Sequence, residues 1–261
     1  MWTHAVTLFL FTKSDFKTVL LPQTCFGLSM ALSSVGSSLT PPVPGSIVRR
    51  LPRGAPYQLG GSQRAKLKAY SELLSIPAAL LLSISLASSG PSTTLMAALW
   101  LYNDLDGSSV GPWQRNALNA VGLACFGWGS ASILLAGYCE DEELLRNWIL
   151  LTAAVVMTTI HAQDLPDIAG DKVRGRRTIP LVYGDSWARW SIAVLVPTWS
   201  MICLNFWQVH ALGWMTLLFI AGTMALLVIL RRDHSSDKQV WRLWCLWMSA
   251  LYFLPIFGQT R

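Results

Sequence analysis

Apolar runs about as long as a bilayer is thick recur along this chain, separated by short polar stretches. A helix needs about 20 predominantly apolar residues to cross a bilayer, and windows of that length give spans at 115–138, 145–164, 187–208, 211–231 and 240–258. Nearer the N-terminus the pattern is choppier. Residues 73–103 form one apolar stretch that Ser88-Ser89-Gly90-Pro91-Ser92 divides into two short helices, because glycine and proline there are turn formers. Residues 16–39, with Pro22 and Gly27, make a further candidate span. The pattern predicts an all-α, polytopic membrane helix bundle of about 7–8 membrane helices. It divides the chain into an N-terminal segment with a first membrane helix (1–39), a basic loop rich in proline and glycine (40–70), and the main bundle (71–261).

Composition sharpens the class. Of 261 residues, 52% are hydrophobic and 13% charged, where a soluble domain carries roughly 25% charged residues. A soluble monomer, a disordered chain, a collagen-like repeat and a disulfide-rich secreted scaffold are excluded. The 13 tryptophans fit an interfacial role, since an indole joins an apolar ring to a polar N–H. The net charge of +6 could point to nucleic acid. The basic residues, however, are confined to short stretches between apolar runs, the pattern of cytoplasmic loops, and no basic-aromatic stacking face accompanies them. The expected partner is therefore a lipid bilayer and not a nucleic acid. The five cysteines are scattered without a CxxC and read as packing thiols.

Loop charge also orients the spans, because lysine and arginine stay on the cytoplasmic side. The 40–70, 165–186 and 232–239 stretches are basic and 139–143 is acidic. Placing 40–70 inside puts 104–114, 165–186 and 232–239 inside and 139–143 outside. Before residue 40 the alternation fails, since Lys13 and Lys17 precede the 16–39 segment and a basic stretch follows it. A re-entrant segment, an outward N-terminus or an absent span would each restore it.

The densest polar constellation closes the 145–164 span: Asp164-Leu-Pro-Asp167-Ile-Ala-Gly-Asp171-Lys172-Val-Arg174-Gly-Arg176-Arg177. On a continuing helix Asp164, Asp167 and Asp171 (i, i+3, i+7) project from one side. Three converging carboxylates repel one another unless a cation sits between them. Hard oxygen donors suit Mg2+, which keeps several waters and bridges to substrate phosphates. The four basic residues that follow supply counter-charge for phosphate oxygens. The competing reading is a solvated helix end whose aspartates and arginines pair with each other.

A second cluster, Tyr102-Asn103-Asp104-Leu105-Asp106-Gly107, ends the 91–103 helix, where Asp104 and Asp106 could extend a metal shell. It also reads as a plain helix cap and turn. Both clusters fall on the predicted cytoplasmic side. His161, one turn before Asp164, reads as a packing residue. The chain has no GxSxG elbow, HExxH, P-loop or dinucleotide fingerprint.

The stretch from Gln163 to Pro180 resembles the second aspartate-rich motif of the UbiA superfamily of intramembrane prenyltransferases. The Leu101-Tyr102-Asn103-Asp104-Leu105 segment and the opening from Leu10 to Val19 resemble the fungal branch of that superfamily, which includes membrane-bound sesquiterpene (bergamotene-type) cyclases. The resemblance implies a nine-helix bundle whose cytoplasm-facing cavity holds Mg2+ against a prenyl diphosphate, with farnesyl diphosphate favoured. It implies Asp164, Asp167 and Asp171 as catalytic metal ligands, joined by Asp104, and Lys172, Arg174, Arg177, Tyr102 and Asn103 as substrate contacts. The activity implied is ionisation of the diphosphate followed by terpene cyclisation in secondary metabolism, or else by prenyl transfer to an acceptor. The location implied is an integral, multi-pass protein, the endoplasmic reticulum favoured. In one respect the chain departs from the family. From Thr18 to Tyr70 there is no aspartate or glutamate, so the second family helix and the first aspartate-rich motif are expected to be absent. A catalytically impaired, truncated relative is the corresponding alternative.

Overall fold

A computed structural model describes residues 88–135 and 142–258, together with Leu81 and Ile84. The 16–39 span, the 40–70 loop, most of the first half of the 73–103 stretch and the expected absence of a second helix and first motif lie outside these residues. Every regular element among the described residues is helical. In order they are α1 (Ser89–Asn103), α2 (Gly107–Val110), α3 (Pro112–Leu135), α4 (Glu142–Thr159), two 3-10 turns (Ile160–Gln163 and Leu165–Asp167), α5 (Ile168–Val173), α6 (Ile179–Val182), α7 (Asp185–Trp207), α8 (Ala211–Leu230), α9 (His234–Tyr252) and α10 (Leu254–Phe257). Three stretches, Glu142–Val173, Asp185–Trp207 and Ala211–Leu230, are long and apolar enough to cross a membrane. The protein is membrane-associated.

The turn expected over 88–92 narrows to Ser88. Gly90, Pro91 and Ser92 already belong to α1, because proline in a first helical turn forfeits no backbone bond. Between α1 and α2 the chain turns at Asp106, which takes a left-handed conformation (φ 53°). Gly107 follows because a Cβ there would stand 2.5 Å from the Leu101 carbonyl oxygen.

The core lies where α4, α7, α8 and α9 pack together, around Trp148, Val155, Ile192, Leu204, Met224, Trp244 and Leu251. Lipid tails are as apolar as leucine, so packing and interhelical hydrogen bonds must hold such helices together. Indole N–H groups supply several of those bonds. Trp244 Nε1 donates to Thr159 Oγ1 (3.0 Å), Trp247 Nε1 to Ser200 Oγ (2.8 Å) and Trp199 Nε1 to Thr158 Oγ1 (2.8 Å), tying α9 to α4, α9 to α7 and α7 to α4. The interfacial reading of tryptophan thus holds for only part of the set: Trp100, Trp128, Trp187 and Trp190 are exposed, whereas Trp148, Trp244 and Trp247 are buried. The cysteines follow the packing reading, with Cys125 and Cys203 buried and Cys245 half-buried, all as free thiols; Cys25 and Cys139 lie outside the described residues.

One end of the bundle is locked by Arg189. Its guanidinium donates to Asp237 Oδ1 (2.7 Å) and Oδ2 (3.0 Å), to both Asp185 oxygens (2.8 and 2.9 Å), and to the carbonyls of Val228 (3.3 Å) and Arg231 (3.2 Å). The start of α7, the end of α8 and the start of α9 therefore meet at one level. Trp113 Nε1 donates to the Tyr183 hydroxyl (2.9 Å) and Arg177 Nη1 to the Val110 carbonyl (3.4 Å), which brings α2 and the start of α3 to the same end. At the other end Trp148, near the start of α4, packs on Phe206 and Trp207 at the end of α7. The three segments assigned to one side by charge, 104–114, 165–186 and 232–239, thus share an end.

Candidate functional site

The aspartate-rich segment does not continue α4 as a regular helix. Pro166 cannot donate its backbone nitrogen, and the chain passes through two 3-10 turns before α5. These turns change the spacing argument. Asp164 and Asp171 are each buried to 1% exposure, whereas Asp167 is exposed. The three carboxylates therefore do not share one face.

Glycine explains how the second buried carboxylate meets its partner. Gly175 adopts a left-handed conformation (φ 67°) and closes α5 with two reversed bonds, Arg176 N–H to the Asp171 carbonyl (3.0 Å) and Gly175 N–H to the Lys172 carbonyl (3.2 Å), the pattern of a Schellman cap. The turn folds Arg176 back onto Asp171, where Nη1 donates to Oδ1 at 3.1 Å. Gly175→Ala puts a Cβ into this conformation at a cost of roughly 1–2 kcal/mol. The expected result is a small loss of thermal stability together with a fall in activity; an unchanged activity would show that Arg176 finds Asp171 without this turn.

Asp164 meets a residue from another helix. Arg115 Nη2, from the first turn of α3, lies 2.9 Å from Asp164 Oδ1. The approach is close enough for an ion pair but too poorly aligned for a hydrogen bond, so both Asp164 oxygens lack a hydrogen-bond donor. Asp171 Oδ2, Thr178 Oγ1, Arg115 Nε and Nη1, Asn116 Oδ1 and Asn119 Nδ2 are likewise buried without a partner. Asn116 spends its amide on the Met157 carbonyl (3.1 Å). Buried polar atoms are normally satisfied, so the orphans in α3, the 3-10 turns and the segment from Asp171 to Thr178 make this region the candidate site.

Those orphans include three carboxylate oxygens, the hard donors that suit a small divalent cation. Among the described residues no group of three or more His, Cys, Asp or Glu side chains converges on one point. Magnesium is commonly bound through one or two carboxylates plus substrate phosphates, and Asp164 and Asp171 are the buried carboxylates of this segment. Lys172, Arg174 and Arg177 are exposed in the same segment, with Arg177 donating to the Val110 carbonyl.

The other sequence-derived residues lie apart. Tyr102 is half-buried, and Asn103 and Asp104 are exposed, at the end of α1; among the described residues no hydrogen bond or ion pair joins them to Asp164 or Asp171. Their segment reaches the aspartate loop only through the Arg177 to Val110 bond. His161 is buried, and its Nε2 lies 2.9 Å from Ser191 Oγ and 3.3 Å from the Ala188 carbonyl, in keeping with a packing role. Sequence reasoning did not single out Arg115, Asn116 or Asn119, and it gave Arg176 to the phosphate and not to Asp171. The signal for the first three was present, since they are polar interruptions of an otherwise apolar run, and such interruptions mark cavities.

A model of the UbiA prenyltransferase family matches residues 63–251. The chain is similar to the fumagillin beta-trans-bergamotene synthase of Aspergillus fumigatus, with 31% identity over 63% of this chain and 56% of that protein. It is also similar to a somaliensene A/B synthase of Streptomyces somaliensis, at 30% identity over 37% of this chain and 35% of that protein. A polyprenyl transferase of Hericium erinaceus is 28% identical over 38% of this chain and 34% of its own length. In each case the match spans less than two thirds of the relative's length. No solved structure matches the chain.

Proposed function

Because this chain belongs to the UbiA prenyltransferase family, we propose that it ionises an isoprenoid diphosphate, with farnesyl diphosphate favoured, and directs the resulting cation to a cyclic terpene of secondary metabolism. The observation that carries the reading is the pair of buried carboxylates, Asp164 and Asp171, with oxygens that lack a hydrogen-bond donor, in a segment that also carries exposed basic side chains. The names of two relatives, a bergamotene synthase and a somaliensene synthase, favour cyclisation; that of a polyprenyl transferase keeps prenyl transfer as the alternative.

In this reading Asp164 and Asp171 would hold Mg2+, with the more exposed Asp167 beside them in the chain. When bound, the metal supplies Lewis-acid stabilisation of the leaving diphosphate. Arg115 neutralises Asp164 and fixes its direction from α3, and Arg176 does the same for Asp171. Lys172, Arg174 and Arg177 bind the diphosphate oxygens. The allylic C–O bond breaks with both electrons going to the diphosphate. Proton loss from the cyclised cation then gives a neutral hydrocarbon, whereas capture by an acceptor gives a prenylated product. The basic segments at the same end of the bundle support a cytoplasm-facing site, with the endoplasmic reticulum the favoured location.

The test is diphosphate release from farnesyl diphosphate by membranes containing the chain, with magnesium and with chelator, and with analysis of the organic extract. Magnesium-dependent release with a cyclic hydrocarbon is the expected result. Release only on adding an acceptor assigns prenyl transfer. The stretch from Thr18 to Tyr70 without a carboxylate favours a second reading, a catalytically impaired relative. Binding of farnesyl diphosphate without release in any arm would establish that reading and remove the enzymatic one.

A further inference from the structure

Between the second half of α8 and the first half of α9 runs an open groove of about 590 Å³, lined by Thr223, Leu226, Leu227 and Leu230 on one side and Gln239, Arg242 and Leu243 on the other, with Arg231 at its head. Leu226 and Leu230 are 64% and 72% exposed, so their side chains present an apolar wall outward. No carboxylate lines it. The acidic residues nearest in the chain are already engaged: Asp237 and Asp185 by Arg189, and Asp233 by Ser236, whose amide and hydroxyl it accepts at 3.0 and 2.7 Å. Among the described residues Arg231 and Arg242 have no ion-pair partner. Asp233 lies close enough to Arg231 to feel its charge but does not pair with it, and an arginine beside an apolar, outward-open groove is costly in a bilayer.

The helix directions say where a counter-charge must come from. α9 begins with a polar segment from His234 to Arg242 and becomes apolar from Leu243. Its side chains tilt toward its own N-terminus, which carries the Arg242 guanidinium toward the mouth of the groove, where α8 ends at Arg231. The exposed aromatics Tyr183 and Trp187, of the kind that mark the membrane interface, belong to the same end of the bundle. Two arginines outside any ion pair among the described residues therefore stand at the polar end of a leucine-lined wall that follows α8.

We propose that this groove binds one anionic glycerophospholipid, its phosphate held between Arg231 and Arg242 and an acyl chain laid along Leu226, Leu227, Leu230 and Leu243. The carbonyls of Val228 and Arg231, at the edge of the groove, accept from Arg189, so an occupied groove braces the lock that joins α7, α8 and α9.

The purified full chain in phosphatidylcholine nanodiscs, with and without phosphatidylserine, provides the test, read by lipid adducts in native mass spectrometry and by thermal unfolding. Retention of one phosphatidylserine and a raised unfolding temperature are expected. Arg231→Gln combined with Arg242→Gln should weaken phosphatidylserine affinity about tenfold or more, whereas Lys238→Gln, which removes an equal charge outside the groove, should leave it unchanged. Should the double variant unfold, Leu226→Trp fills the groove without removing a charge and should likewise abolish the adduct. Equal retention of phosphatidylcholine, equal loss in Lys238→Gln, or full competition by inorganic phosphate would overturn the proposal.

Discussion

Replacing Asp171 by asparagine is expected to lower diphosphate release from farnesyl diphosphate by about 10²–10³-fold, while thermal unfolding changes little. The activity estimate follows from the usual effect of deleting one preorganised electrostatic group at a site of developing charge. Asp171 is the informative position because its partner is half-exposed: Arg176 has a side-chain exposure of 31%, against 1% for Asp171. Removing the negative charge therefore leaves Arg176 able to reach water, and an amide fills the same space. Asp164 is less clean, since its partner Arg115 is itself buried at 7%. Asp164→Asn strands that cation and should lower stability as well as activity. Asp167→Asn, at an exposed position, should cause the smallest loss of the three. An Asp171→Asn protein with normal release rates would sink the assignment of the site to this cluster.

Replacing Asp237 by alanine should destabilise the fold by about 3–5 kcal/mol, the range found when one partner of a buried pair is removed and the other remains. Arg189 is 2% exposed and Asp237 6%, so the stranded guanidinium has little access to solvent. Asp185, with 37% exposure, holds the same guanidinium from the surface side, and Asp185→Asn should cost much less. Thermal unfolding in one detergent or nanodisc condition separates the two. Equal, small losses would mean that the carbonyls of Val228 and Arg231 hold Arg189 sufficiently without Asp237.

Helix identity was legible because it depends on local pattern. The 187–208 and 211–231 windows became α7, Asp185–Trp207, and α8, Ala211–Leu230, almost without shift. The 145–164 window was right in placing a span but not in its continuation, because the helical periodicity applied to Asp164, Asp167 and Asp171 ignores the 3-10 turns around Pro166. Those turns separate Asp167 from its neighbours. The partners of the two buried aspartates were less visible for different reasons. Arg176 reaches Asp171 through a left-handed glycine turn, a local feature that could be read from Gly175. Arg115 reaches Asp164 from another helix, 49 positions earlier in the numbering, and no local pattern encodes that meeting.

By itself, the sequence determined that the chain is helical and membrane-associated, located the three long apolar spans among the described residues, and showed where its scarce charges concentrate. These follow from the free energy of placing apolar or charged groups in hydrocarbon, a property of each segment separately. Only the tertiary structure decided which charges are buried together. It set Asp164 against Arg115, closed Asp237 and Asp185 on Arg189, and left the guanidinium groups of Arg231 and Arg242 outside any ion pair among the described residues. Those outcomes depend on how helices remote in sequence pack against one another, and packing fixes distances that composition and periodicity do not contain.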